Sequence, residues 1–292
     1  MSVKIIVDTA SQYTKEIGEK NGITVIPMPV ISEKDNKEYF TGDIAAQQFY
    51  ENMLNKQVYT TAQVGISTYL KYFEEFYKNK QEAIYFSLSS GLSSTYDTSL
   101  MAINELNEKY KKQYVYSYDS RMATAGIDLV VSKVLNGANN CMTIEQLIKI
   151  ADDTLTKICA YVAVTDLEYL YRGGRISKTT AFVANALSLK PIIEMKTSTG
   201  KLHMIDKVRG YKKLAKYFVE KAQSDCNGAP VAPIYLCNCL DTELIYEIKD
   251  KFMSEFGFKD RDFIVDSTCI IIGCHTGPGS VYVFYLKEEV GI

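Results

Sequence analysis

The chain has 292 residues, with 33 basic against 35 acidic side chains and a net charge of −2. That length supplies core for one large or two moderate domains, and two are expected. The charge balance offers no basic stripe, which argues against nucleic acid as the main partner, and no apolar run is long enough to cross a membrane.

Met1 to Asp8 is a short strand pattern without the longer apolar segment and cleavage site of a signal peptide, so a cytoplasmic protein is expected. Val3 to Val7 reads as a strand covered on both faces. Asp8-Thr-Ala-Ser11 follows as a cap for a helix near Thr14 to Lys20. Ile23 to Ile31 is extended, and Pro27 and Pro29 push it to an edge or an irregular strand. Gly42-Asp43 opens a helix with Ile44, Phe49 and Met53 near one face; Tyr59 to Gln63 reads as a polar loop. Ile66 to Tyr77 is a helix on the spacing of Leu70, Phe73 and Tyr77.

The next stretch, Ala83 to Tyr96, is an apolar strand that breaks into hydroxyls and then opens a helix through Leu100, Ile103 and Leu106. A helix N-terminus presents unpaired N–H groups, so this turn suits an anion. Tyr114 to Tyr118 is another strand, closed by Asp119-Ser120 before a helix from Ala123 to Leu135. Strands alternating with helices predict a parallel, doubly wound sheet, with Asp8, Ser87 to Ser93 and Asp119-Ser120 on one rim.

A helix from Thr143 to Ile158 links the halves. Beyond it come a strand at Ala160 to Val164, a short helix at Leu167 to Arg172, a break at Gly173-Gly174 and a helix from Thr179 to Leu189. Pro191 to Lys196 and Leu202 to Lys207 flank Ser198-Thr-Gly200 as a hairpin. Helices over Gly210 to Ala222 and Thr242 to Phe256 bracket a strand from Pro233 to Cys239, and Ser280 to Leu286 is a terminal strand. The expected fold is therefore α/β in two domains: a doubly wound parallel domain over 1–158, and an α+β domain with a mixed or antiparallel sheet over 159–292.

Seven cysteines (Cys141, Cys159, Cys226, Cys237, Cys239, Cys269 and Cys274) form no C-x-x-C pair, and free buried thiols are expected. No spacing of His, Cys and Asp offers the convergent ligands a metal needs. Of two histidines, His203 lies inside a hairpin strand, whereas His275 lies in Gly273-Cys-His-Thr-Gly-Pro-Gly-Ser280, a turn whose glycines bring backbone close to something. Ser93 could be a nucleophile with His275 as base and Asp8 or Asp119 behind it, but Gly91-Leu-Ser93-Ser-Thr95 lacks the second glycine of a nucleophile elbow. Tyr171-Arg-Gly-Gly-Arg175-Ile-Ser is open among a solvated basic turn, a partner surface and a phosphate loop.

Taken in order, Val-Asp8, Thr60-Thr61-Ala-Gln63, Ser89-Ser-Gly-Leu-Ser-Ser-Thr-Tyr96, Asp119-Ser120, Leu170-Tyr-Arg-Gly-Gly-Arg-Ile-Ser177, Lys190-Pro-Ile-Ile193 and His275-Thr-Gly-Pro-Gly279 resemble the DegV family of bacterial fatty-acid-binding proteins, nearly end to end. The resemblance implies one long-chain fatty acid, its carboxylate at the domain junction and its tail in the second domain. It implies no catalysis by this chain alone and no cofactor beyond the lipid; a separate ATP-dependent kinase subunit would phosphorylate the presented carboxylate for phospholipid synthesis. By position it puts the carboxylate on Thr61, Ser93 and His275, with Thr276, Ser94 and the N–H groups of Gly91 to Ser94 nearby, and makes Arg172 and Arg209 partner contacts. Membrane contact would be transient, for lipid exchange, without insertion. Ala62-Gln-Val-Gly65 departs from a Ser-Gln-Pro-Ser-like family sequence by losing a hydroxyl, and Ser94 replaces a common glycine.

Burying about fifteen methylenes at roughly 0.8 kcal/mol each yields on the order of 12 kcal/mol before ordering, so the tail can set retention. The head must avoid undoing it, and hydroxyl and N–H donors with an imidazolium would hold a carboxylate while leaving it nucleophilic. Phe182, Leu187 and Ile192 are candidates for setting pocket depth. Two rivals use the same residues: a hydrolase of acyl esters, and a sensor that changes partners on binding lipid. Ser89, Ser90 and Ser94 stay open between capping and binding.

Overall fold

A computed structural model describes residues 2–177 and 189–291. The helix expected from Thr179 to Leu189 lies, but for Leu189, outside the described residues, as do Phe182 and Leu187.

The first half alternates as the periodicity predicts. Strand β1 (Lys4–Asp8), helix α1 (Lys15–Asn21) and strand β2 (Ile23–Ile26) form a βα unit, with Thr14 rather than Asp8 to Ser11 capping the helix. After β3 (Val30–Ser32), β4 (Glu38–Tyr39), α2 (Ala46–Leu54) and β5 (Tyr59–Thr61) come α3 (Ile66–Lys78), β6 (Ala83–Ser87), α4 (Thr95–Tyr110), β7 (Val115–Asp119) and α5 (Ala125–Asn139). The parallel sheet has the order β2-β1-β6-β7, so the chain reverses its direction of travel between β1 and β6. Loops leaving the carboxyl ends of those two strands therefore diverge and leave a crevice. β3, β4 and β5 make a small antiparallel sheet beside it, in the order β4-β3-β5. Tyr59 to Thr61, expected as loop, is thus a strand: Val30 pairs with Thr61, and its backbone groups are satisfied there.

Helix α6 (Ile144–Leu155), started by a capping box between Thr143 and Gln146, leads to β8 (Ile158–Ala163) and α7 (Glu168–Arg172). Then follow β9 (Lys190–Lys196), β10 (Lys201–Val208), α8 (Tyr211–Cys226), β11 (Val231–Asn238), α9 (Thr242–Phe256), β12 (Phe263–Ser267), α10 (Ile270–Thr276) and β13 (Val281–Leu286). The second sheet is mixed, in the order β10-β9-β8-β13-β11-β12, with only β11 and β12 parallel.

Both faces of the central strands of this sheet, such as β8 and β13, are buried, and period-two alternation sorts them. Cys159, Tyr161 and Ala163 of β8 and Val281, Val283 and Tyr285 of β13 join a core with Leu214 and Phe218 of α8 and Ile245, Ile248 and Phe252 of α9. Ala160 and Val162, with Tyr282 and Phe284, face the other way into a second core continuous with the parallel sheet of the first half. That shared core is where a cavity opens. Ile192 belongs to the helix-covered face and so does not set cavity depth, whereas its neighbours Ile193 and Met195 lie on the inner face. Of the cysteines, Cys141 is exposed and Cys226 half-buried; the other five are buried, and all seven are free. Among the described residues no helix is long and apolar enough to cross a membrane.

Candidate head-group site and cavity

The cavity, about 420 Å³, is lined by the carboxyl-end loops of the parallel sheet on one side and by the inner face of the mixed sheet on the other. Its apolar wall includes Met28, Leu88, Ala123, Ala160, Val162, Met195, Leu202 and the parallel rings of Tyr282 and Phe284, 6.3 Å apart. Its polar lining gathers Thr61, Ser93, Ser94, Thr124, Arg175, His275 and Thr276 from segments remote in the chain. Gln63, Ser90 and Ser94 are exposed and mark the solvent side.

Three of the anticipated residues are placed by distinct local devices. Thr61 ends β5, and its Oγ1 lies 2.7 Å from Nε2 of His275. His275 sits not in an open turn but in the last turn of α10, which stops where Gly277 adopts a positive φ. Gly173 has no side chain because the imidazole needs the space: a Cβ there would lie 2.2 Å from Nδ1. Ser93 ends the turn before α4; its Oγ lies 2.7 Å from Oγ1 of Thr95 and accepts from the Thr95 N–H at 3.3 Å. Ser94 holds the N-cap position but makes no capping bond through its side chain. The Thr276 hydroxyl is turned toward Tyr282 and the Ile272 carbonyl, so it braces α10 against β13 while lining the cavity.

The expected rim of acids and serines forms, and its acids act as struts. Asp8 accepts from the Leu88 N–H at 3.0 Å, and Asp119 accepts from the N–H and hydroxyl of Ser90. Ser89 donates to the Gly200 carbonyl at the tip of the β9–β10 hairpin, 2.7 Å away. Gly91 packs on the same tip: a Cβ there would lie 2.5 Å from the Gly200 oxygen. Each member of the conceivable hydrolase set thus has another partner, Ser93 with Thr95, His275 with Thr61, and the two aspartates with the turn.

Arg175 is the site residue that sequence reasoning left unassigned. Its Nε donates to the Leu92 carbonyl at 3.1 Å and its guanidinium to Gly173, so it ties the basic turn to the serine turn beside the cavity. Arg172 and Arg209 are exposed, Arg172 lying over the Tyr169 ring at 5.2 Å. His203 is exposed on β10.

Burial, with the guanidiniums of Arg175 and then Arg172, presses the His275 imidazole from its ordinary 6.5 to about 3. Both causes favour the neutral ring in the folded chain. Between those two values the unfolded chain carries a proton that the folded chain lacks, so this group makes stability rise with pH across that window. His275→Gln should accordingly remove up to about 1.4 kcal/mol per pH unit from the slope of unfolding free energy between about pH 4 and 6. Buried Asp8 and Asp128 have raised values and act in the opposite direction, but they are common to both proteins. Equal slopes for the two proteins would mean that the ring is charged inside the fold.

A family model described as "Uncharacterised protein, DegV family" matches residues 2–288. The chain belongs to the DegV family. A DegV domain-containing protein of Clostridium perfringens is 30% identical over 291 residues, covering 97% of each chain. Among solved structures, a DegV lipid binding protein from Thermotoga maritima superposes with a TM-score of 0.85 at 25% identity, over 99% of this chain and 100% of its own. A stearic acid-binding protein from Eubacterium ventriosum gives 0.86 at 23% identity, over 98% of both. The DegV fold thus accounts for both the parallel and the mixed sheet. Among the described residues no group of three or more His, Cys, Asp or Glu could hold a metal ion.

Proposed function

We propose that this DegV protein binds one long-chain fatty acid, with the carboxylate on Thr61, Ser93 and His275, Ser94 and Thr276 beside it, and the acyl chain along the inner face of the mixed sheet. The observation that carries this reading is the contact of Thr61 with His275 on the wall of a cavity whose remaining lining is largely apolar. Supporting it, relatives of the same fold are described as lipid- and stearic acid-binding proteins. In this reading 1–158 supplies the head-group loops and 159–292 houses the tail.

The chain acts as a carrier that presents the carboxylate to a separate ATP-dependent kinase, and exposed Arg172 and Arg209 meet that partner. Hydroxyl donors serve this purpose because they hold a carboxylate without neutralising it, leaving an oxygen free to attack a phosphoryl group. Native mass spectrometry of the purified protein should show one fatty acid per chain, or accept one after delipidation. Loaded protein given a fatty acid kinase subunit and ATP should then yield acyl phosphate, more slowly for Arg172→Glu/Arg209→Glu. Protein that neither carries nor accepts lipid refutes the binding; normal turnover by the double variant refutes the docking role.

A further inference from the structure

We infer that Asp8, Tyr85 and Tyr69 are positioning residues for the head-group site, because one buried carboxylate holds both ends of the turn that carries Ser93. This deepens the fatty-acid reading and rests on it.

Asp8 closes β1 and is fully buried. Its Oδ1 accepts from the Ala10 N–H at 3.0 Å, and its Oδ2 accepts from the Leu88 N–H at 3.0 Å and the Tyr85 hydroxyl at 2.6 Å. The Leu88 bond fixes the start of the turn. The other branch reaches its end: the Tyr69 hydroxyl lies 2.8 Å from that of Tyr85 and 3.3 Å from the Thr95 carbonyl, sharing its one proton between them. Thr95 is in turn the residue whose Oγ1 and N–H contact Ser93 Oγ. The rings of Tyr69 and Tyr85 are themselves fully buried and meet edge to face, 5.4 Å between centroids, so the branch is rigid.

An acid, two phenols and a carbonyl buried in a row would be an expensive way to fill a core that leucine or phenylalanine could fill. What the row supplies is a fixed distance between the two ends of the serine turn, and with it the direction of the Ser93 hydroxyl. A site that must meet a carboxylate within hydrogen-bond tolerance needs such support behind its donors. The acyl wall contains none of these three side chains, so their effect should be confined to the head group.

The test compares delipidated wild type, Tyr69→Phe and Asp8→Asn titrated with hexadecanoic acid and with hexadecanol, which share a tail and differ at the head. Wild type should prefer the acid. Tyr69→Phe should reduce that preference about five- to tenfold while leaving the alcohol affinity unchanged, and Asp8→Asn should reduce it further. A folded Tyr69→Phe protein with the wild-type preference, or equal losses for acid and alcohol, overturns the inference; Tyr69→Phe decides if Asp8→Asn does not fold. Wild type that binds neither ligand removes the fatty-acid reading and this inference together, whereas with wild type that prefers the acid the variants bear on the clamp alone.

Discussion

Gly273→Ala should lower the unfolding free energy by about 2–4 kcal/mol, although alanine is the better helix former by roughly 1 kcal/mol. Gly273 lies inside α10, and a Cβ there would stand 2.0 Å from the Tyr50 hydroxyl oxygen and 2.4 Å from its Cε1. Tyr50 has nowhere to go: its ring is buried, and its hydroxyl donates to the Thr268 carbonyl at 2.5 Å. Moving it strains a packed core and strands a buried phenol and carbonyl, each of the order of 1–3 kcal/mol. Denaturant melts would measure the loss. In a Tyr50→Ala background the same substitution should cost little, since the ring it strikes is gone, so additive losses in the double variant would contradict the packing account.

Thr61→Val combined with Ser93→Ala should weaken binding of a long-chain fatty acid by at least about 100-fold, since a hydrogen bond to a charged group is worth roughly 1.5–3 kcal/mol. Valine preserves the branched shape of Thr61 in β5, and alanine removes the Ser93 hydroxyl with its bonds to Thr95 at a cost of about 1 kcal/mol, so the fold should survive. Binding measured by calorimetry on delipidated protein reads the loss. The tail's burial is untouched by either change, so binding weakened less than threefold would mean that the carboxylate sits elsewhere.

Much of the parallel sheet was legible because its strands are short apolar runs separated by helices with a clear apolar face, and the loops follow from the topology. The corrections concern elements too short or too mixed to show a period. Tyr59–Thr61 has three residues, two of them threonine, and its pairing with Val30 to Ser32 of β3 makes it a strand. α10 has seven residues with a glycine in the middle, so it reads as a turn, and its helical form comes from packing on Tyr50 and β5. β12, unanticipated, is three apolar residues, Phe263 to Val265, running straight into Asp266 and Ser267 after a charged turn, and among the described residues it is paired only with β11.

In the site, Thr61 and His275 are 214 residues apart, and nothing in either segment announces the other; family resemblance alone joined them. Arg172 and Arg175 look equivalent in sequence. The turn at Gly173 and Gly174, the latter at positive φ, sends the first outward and the second to Leu92.

The meeting of the Ser89–Gly91 turn with the hairpin tip at Gly200 sets a mechanical limit on the molecule. The turn leads directly to Ser93, while the hairpin strands carry Met195 and Leu202 on the cavity wall. With Gly91 and Gly200 meeting backbone to backbone and only the short Ser89 hydroxyl bridging turn and tip, no long side chain is there to absorb a shift. Widening the cavity by moving the hairpin therefore also drags on the carboxylate donors, so a looser tail and a weaker grip on the head arrive as one motion.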